Sequence, residues 1–141
     1  MLNTWVMACV LLFVPPATYH PIEIKRVHDG DTISSADIQL GYGVVLKDQS
    51  IRLLGFDAWE ISRTRKTVKI TEEELRLGKL AKTDLLTVLA MGKVYIVQDG
   101  DGKNVYGRID GWVMVYVKET DTLIDVAKWM RERGHQRKDL P

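Results

Sequence analysis

Residues 71–91, TEEELRLGKLAKTDLLTVLAM, read as a long helix, and what flanks them decides the fold. Thr71 can cap the first turn while Glu74, three residues on, reaches back to complete a capping box. Leu75, Leu77, Leu80, Leu85, Leu86 and Leu89 recur at helical spacing with Ala81 in register, and Gly92 is placed to end the helix. Upstream, residues 21–27, 32–40, 44–47 and 50–56 alternate or are β-branched, as strands do. His28-Asp29-Gly30-Asp31, Gly41-Tyr42-Gly43 and Asp48-Gln49 separate them as turns. Downstream, residues 93–98 predict another strand, 99–102 a turn, and 104–117 a strand pair with a bend at Asp110-Gly111. Asp121 is placed to cap a last helix, with Leu123, Ile124, Ala127 and Met130 on one face and Gly134 as its stop. Strands, a helix, strands and a helix predict an α+β fold: a small five-stranded β-barrel of the oligonucleotide-binding type with appended helices.

A chain of 141 residues suits one domain. Lys and Arg number 20 against 19 Asp and Glu, so a net charge of +1 excludes any argument from bulk charge for a nucleic-acid partner. Cys9 is the single cysteine, which excludes an intrachain disulfide and a multi-cysteine zinc site. Residues 1–20 carry no Asp, Glu, Lys or Arg, and 5–14 are continuously apolar. A span needs roughly 20 apolar residues, so no stable membrane span is expected. The run has the length of a signal-peptide core, broken by Pro15-Pro16-Ala17; the alternative is a buried apolar strand. The expectation is therefore a leader over 1–20 and a domain over 21–141. The protein is secreted or periplasmic if the leader is a signal peptide, and cytoplasmic otherwise.

Four clusters carry chemistry. Asp29-Gly30-Asp31-Thr32 sets two carboxylates across a glycine, suited to a hard cation. In Arg52-Leu53-Leu54-Gly55-Phe56-Asp57-Ala58-Trp59-Glu60, carboxylates leave a strand end together, placed to hold a metal and a water. Tyr106-Gly107-Arg108 brings an aromatic and a guanidinium toward one phosphate, and Arg63, Arg65, Lys66 and Lys69 form a basic loop able to grip backbone phosphate. Singly, each reads as an ordinary turn, strand end, bulge or solvated loop. Together they supply a cation site, a spare carboxylate and two arginines, the parts that phosphodiester hydrolysis needs.

In this order the clusters, with Gly78-Lys79-Leu80-Ala81 on the helix, resemble the staphylococcal-type nuclease (thermonuclease) family from about Ile22 to Gly134. The resemblance implies calcium held by Asp31, Asp57 and the Ala58 carbonyl, with Asp29 more peripheral. It implies Glu60 as general base, Arg52 and Arg108 as the phosphate-binding arginines, and Tyr106 against a terminal phosphate. The implied activity is hydrolysis of DNA and RNA with low sequence specificity, unpaired strands favoured, leaving 3′-phosphates; a monomer is expected. The alternative is a catalytically weak barrel that binds nucleic acid or protein. Four departures stand out: Trp59 replaces a proline before the glutamate, and Asn104 an aspartate. Gly41-Tyr42-Gly43 alters an early turn, and Gly134-His135-Gln136-Arg137-Lys138 replaces an apolar Gly-Leu-Ala.

Overall fold

A computed structural model describes residues 18–61, 69–97, 104–105 and 107–138 of the chain. Seven strands and two helices occur among them: β1 (Tyr19–Asp29), β2 (Thr32–Gly41), β3 (Val44–Leu53), α1 (Glu72–Leu89), β4 (Lys93–Val97), β5 (Asn104–Val105), β6 (Arg108–Val117), β7 (Thr122–Asp125) and α2 (Val126–Glu132). Strand β1 pairs antiparallel with β2 and β4, β2 with β3, and β4 with β6. A parallel pairing of β3 with β6, Ser50 opposite Arg108 through Leu53 opposite Gly111, closes the circuit. The result is the closed five-stranded mixed barrel with two appended helices that the sequence predicts.

Inward alternation fills the barrel. In β6, Gly111, Val113 and Val115 face in, and Trp112, Met114 and Tyr116 are half-buried outside. Ile33, Ile51, Leu85, Met130 and Val126 are fully buried, so the core runs from the barrel interior under both helices. A register shift in β1 after Ile24 moves the buried positions from Ile22 to Val27 and Asp29. Such a bulge re-aims every later side chain of the strand, and here it turns Asp29 inward.

The capping box at Thr71 and Glu74 is present. Other expectations are corrected. Asp48-Gln49 is no turn: β3 runs unbroken from Val44 to Leu53, and Asp48, at φ +53°, forms a bulge. Its N–H is held by the buried Asp37 carboxylate at 3.0 Å, which gives the kinked backbone a partner. Helix α1 ends at Leu89 with Ala90 as its cap, and Gly92 lies instead where a Cβ would strike the Tyr116 backbone of β6. Leu80 and Leu86 face solvent at 46% and 48% exposure, while Leu75, Ala81, Leu85 and Leu89 are buried. Leu123 and Ile124 belong to β7, which pairs with β6; Asp125, accepting from the Lys128 N–H at 3.2 Å, caps α2 in place of Asp121. Both aspartates can cap, and the free edge of β6 claims the residues between them. Gly134, at φ +82°, stops α2 as expected.

Tyr42 and Gly43 both have positive φ and form a two-residue hairpin turn. Strand β1 starts at Tyr19, two residues ahead of the expected domain start, pairing Tyr19 and His20 with Val97 and Ile96. Residues 1–17, the turn at 99–102 and Arg63, Arg65, Lys66 and Tyr106 lie outside the described residues. No helix among the described residues is long and apolar enough to cross a membrane.

Candidate functional site

The β1–β2 turn and the segment after β3 rest on the middle of α1, and the start of β6 lies beside β3. Two close approaches set this meeting. A Cβ on Gly30 would lie 2.6 Å from the Ala81 Cβ and 2.8 Å from the Ala58 Cβ, so the turn can rest on α1 only as glycine. A Cβ on Gly78 would lie 2.7 Å from the Glu60 carbonyl carbon and 2.9 Å from the Trp59 oxygen. The small residues of Gly78-Lys79-Leu80-Ala81 therefore let the helix seat both site loops.

A cavity of about 440 Å³ opens there. Asp29, Asp31 and Arg52, then Asp57, Ala58, Glu60 and Arg108 line it, whereas Lys69, the one described residue of the predicted basic loop, does not. Asp31 is 5% exposed and bound on all sides. Its Oδ2 accepts from the Ala58 N–H at 2.8 Å, and its Oδ1 from the Thr32 hydroxyl at 2.8 Å and Arg52 Nη1 at 3.3 Å. Its own N–H donates to Asp29 Oδ1 at 3.1 Å. Burial, and then the negative charge of Asp29, push the Asp31 carboxyl up to about 6; the Ala58 N–H and Arg52 pull the other way and do not prevail.

Arg52 bridges two carboxylates, Asp31 through Nη1 and Asp57 through Nη2. Burial opposes its charge, but Asp31 and Asp57 outweigh that and raise its pKa. Arg52 is thereby fixed in direction, standing in β3 opposite Thr32 of β2 and Asp110 of β6. Arg108, opposite Ser50, makes no ion pair among the described residues and is the looser of the two arginines. The 59%-exposed His28 reaches the same cavity, with Nε2 3.9 Å from Asp29 Oδ2.

Among the described residues, no three His, Cys, Asp or Glu side chains form a group able to hold a metal ion. The donor set is nevertheless all oxygen, which suits calcium. The Asp31 charge, buried beside a second carboxylate and only partly offset by Arg52, is what a bound cation would neutralise. In chemistry these residues fit the ion that the resemblance implies.

Two lining residues, His28 and Arg137, have no site role in the sequence reading. Arg137 borders the cavity, its N–H donating to the Asp57 carbonyl at 2.7 Å. It arrives on the segment after α2, which His135 fastens to α1 through Asp84 at 2.6 Å. No local pattern marks it, since the contact joins residues 80 positions apart. The chain matches no protein-family model and no curated protein.

Proposed function

We propose that this barrel is a calcium-dependent nuclease of the staphylococcal type, hydrolysing phosphodiester bonds of DNA and RNA with low sequence specificity, unpaired strands favoured. The observation that carries the reading is the single cavity shared by Asp29, Asp31, Arg52, Asp57, Glu60 and Arg108. These residues come from three separate stretches of sequence, and an unselected surface seldom gathers four carboxylates and two guanidinium groups in one concavity.

Each residue has a part. Arg52 and Arg108 hydrogen-bond the equatorial phosphate oxygens, where negative charge grows as water attacks. Glu60 takes the proton of that water. The bond to the 5′-oxygen breaks, the oxygen takes up a proton, and the other product keeps a 3′-phosphate. Asp31, Asp57 and the Ala58 carbonyl would hold calcium, with Asp29 at its periphery; when bound, the ion supplies positive charge against the phosphate oxygens. Tyr106 is assigned to a terminal phosphate, and Arg63, Arg65 and Lys66 to the backbone of the strand. The protein acts as a monomer, exported if residues 1–20 are a signal peptide.

A second reading draws on Arg52. Its ion pairs with Asp31 and Asp57 give both carboxylates a cationic partner that is not a metal, as in a barrel that only binds nucleic acid or protein. Incubating plasmid and single-stranded DNA with the protein in calcium, then in chelator, separates the two. Cleavage in calcium that stops in chelator supports the nuclease. Retention of DNA without cleavage in either buffer supports the binding module.

A further inference from the structure

We propose that Arg137 binds the phosphate flanking the scissile one, so that this site takes an oligonucleotide in preference to an ester carrying a single phosphate. The inference rests on the nuclease reading of the cavity and assigns a residue that the motifs do not.

Three observations support it. First, the Arg137 backbone is pinned: its N–H donates to the Asp57 carbonyl at 2.7 Å, and the neighbouring Gln136 Oε1 accepts from the Asp57 N–H at 3.4 Å. The segment is anchored again by the His135–Asp84 contact at 2.6 Å and by the His135 N–H to the Met130 carbonyl at 3.2 Å. A segment held at four points places the Arg137 backbone at low entropic cost. Second, Arg137 lines a cavity that also holds four carboxylates, yet its side chain forms no ion pair among the described residues. Its charge is left for an incoming anion.

Third, the three arginines reach the cavity from separate parts of the chain. Arg108 lies opposite Ser50, before Arg52 on β3, whereas Arg137 is tied to Asp57, beyond the end of that strand. Arg108 and Arg52 together serve the reacting phosphate, and Arg137 reaches the next one along the chain. A guanidinium suits this role because its fork of donors matches phosphate oxygens.

The test measures binding and turnover separately. A fluorescein-labelled single-stranded oligothymidylate is titrated by anisotropy at several salt concentrations, with calcium and with chelator, against wild type, Arg137→Ala and Arg137→Lys. Arg137→Ala should weaken binding about three- to ten-fold and lower the salt slope by about 0.7, the value for one phosphate contact on a single strand. Arg137→Lys keeps the charge and should recover most of the slope. In cleavage, the rise in KM with Arg137→Ala should be several-fold larger on the oligothymidylate than on the dinucleotide TpT, which has one phosphate, and kcat should fall little.

Unchanged affinity and slope in Arg137→Ala overturn the inference while leaving the nuclease reading intact. Equal KM losses on both substrates also overturn it, because Arg137 would then serve the scissile phosphate. Binding that depends on Arg137 in a wild type that never cleaves keeps the phosphate site and removes the nuclease. Failure of the wild type to bind the oligonucleotide overturns both.

Discussion

Asp31 and Asp37 sit on one hairpin, 5% and 4% exposed, and have opposite electrostatic surroundings. Asp37 accepts the Asp48 N–H at 3.0 Å and pairs with Lys25 and Lys47 at 3.0 Å each. That backbone bond, then the two lysines, hold its carboxyl far below the usual carboxylate range. Asp31 has one partly offsetting arginine and a second carboxylate beside it, and burial pushes it up to about 6. The first aspartate pins a strand bulge. The second is left under-compensated in the wall of a cavity, where a cation or substrate can complete it. A structural role and a proposed site role thus separate within seven residues of chain, 31–37, and the following experiments probe that separation.

The largest effects belong to turnover at the under-compensated side. Asp31→Ala should abolish calcium-dependent cleavage. Glu60→Gln should lose roughly two to four orders of magnitude in kcat, the range for a general base, while still binding calcium. Arg52→Lys should be strongly defective, because an ammonium cannot bridge Asp31 and Asp57 as the planar guanidinium does. Single-turnover rates on one single-stranded substrate decide this. Near-wild-type rates for both Glu60→Gln and Arg52→Lys would return the cavity to the binding-module reading.

Gly78→Ala comes next. In an exposed helix this change stabilises by up to about 1 kcal/mol. Here the new methyl would press on the Glu60 and Trp59 backbone. Overpacking of that kind costs about 1–3 kcal/mol, and moving Glu60 should lower kcat as well. A chemical-denaturation midpoint equal to or above wild type would show that the loop yields freely.

The pH dependence of stability separates the two aspartates directly. A raised pKa means that Asp31 favours the fold when protonated: its contribution is present below pH 3.8 and is lost as pH rises through about 6. In chelator, Asp31→Asn should therefore be more stable than wild type at pH 7, by on the order of 1–3 kcal/mol, and no more stable near pH 4. Saturating calcium should reverse the order by stabilising the wild-type fold alone. Asp37 has the opposite sign. Its pKa is depressed, so its contribution is present above the ordinary carboxylate range and disappears as pH falls toward strong acid. Asp37→Asn should be less stable at pH 7, and the gap should narrow in acid. Urea unfolding at three pH values reads both; parallel curves for the two variants would erase the distinction.

What the sequence made legible follows the same division. The barrel could be read because its signals are local: a capping box at Thr71 and Glu74, alternating or β-branched runs in the early strands, and glycines at the hairpin; the bend expected at Asp110-Gly111 falls instead inside the unbroken β6. The aspartates that line the cavity could be read because they lie in short fixed patterns, Asp29-Gly30-Asp31 and Arg52 to Glu60. Features made by distant partners could not. The Asp48 bulge depends on Asp37 across the hairpin, β7 on the open edge of β6, and Arg137 on a bond to Asp57. The leucines of α1 could not be sorted by spacing alone either, since Leu80 and Leu86 fall just off the face that the barrel covers.

The smallest expected effect concerns how Asp37 shares its cations. Lys25 Nζ lies 3.0 Å from Asp37 Oδ1 and also 3.0 Å from Asp48 Oδ1, while Lys47 Nζ takes Asp37 Oδ2. Both lysines are well exposed, at 40% and 69% of the side chain, so each ion pair by itself is weak in water. With one lysine gone, the carboxylate keeps the other and the Asp48 N–H at 3.0 Å, so the bulge keeps its backbone anchor. Lys25→Met and Lys47→Met should each lower Tm only slightly at pH 7. The double variant should lose more than the two singles together, because Asp37 is then a buried carboxylate with no cation beside it. Additive losses in this double-mutant cycle would mean that the lysines act as separate surface pairs. A loss from either single variant as large as that of Asp37→Asn would mean that one cation alone sets the Asp37 environment.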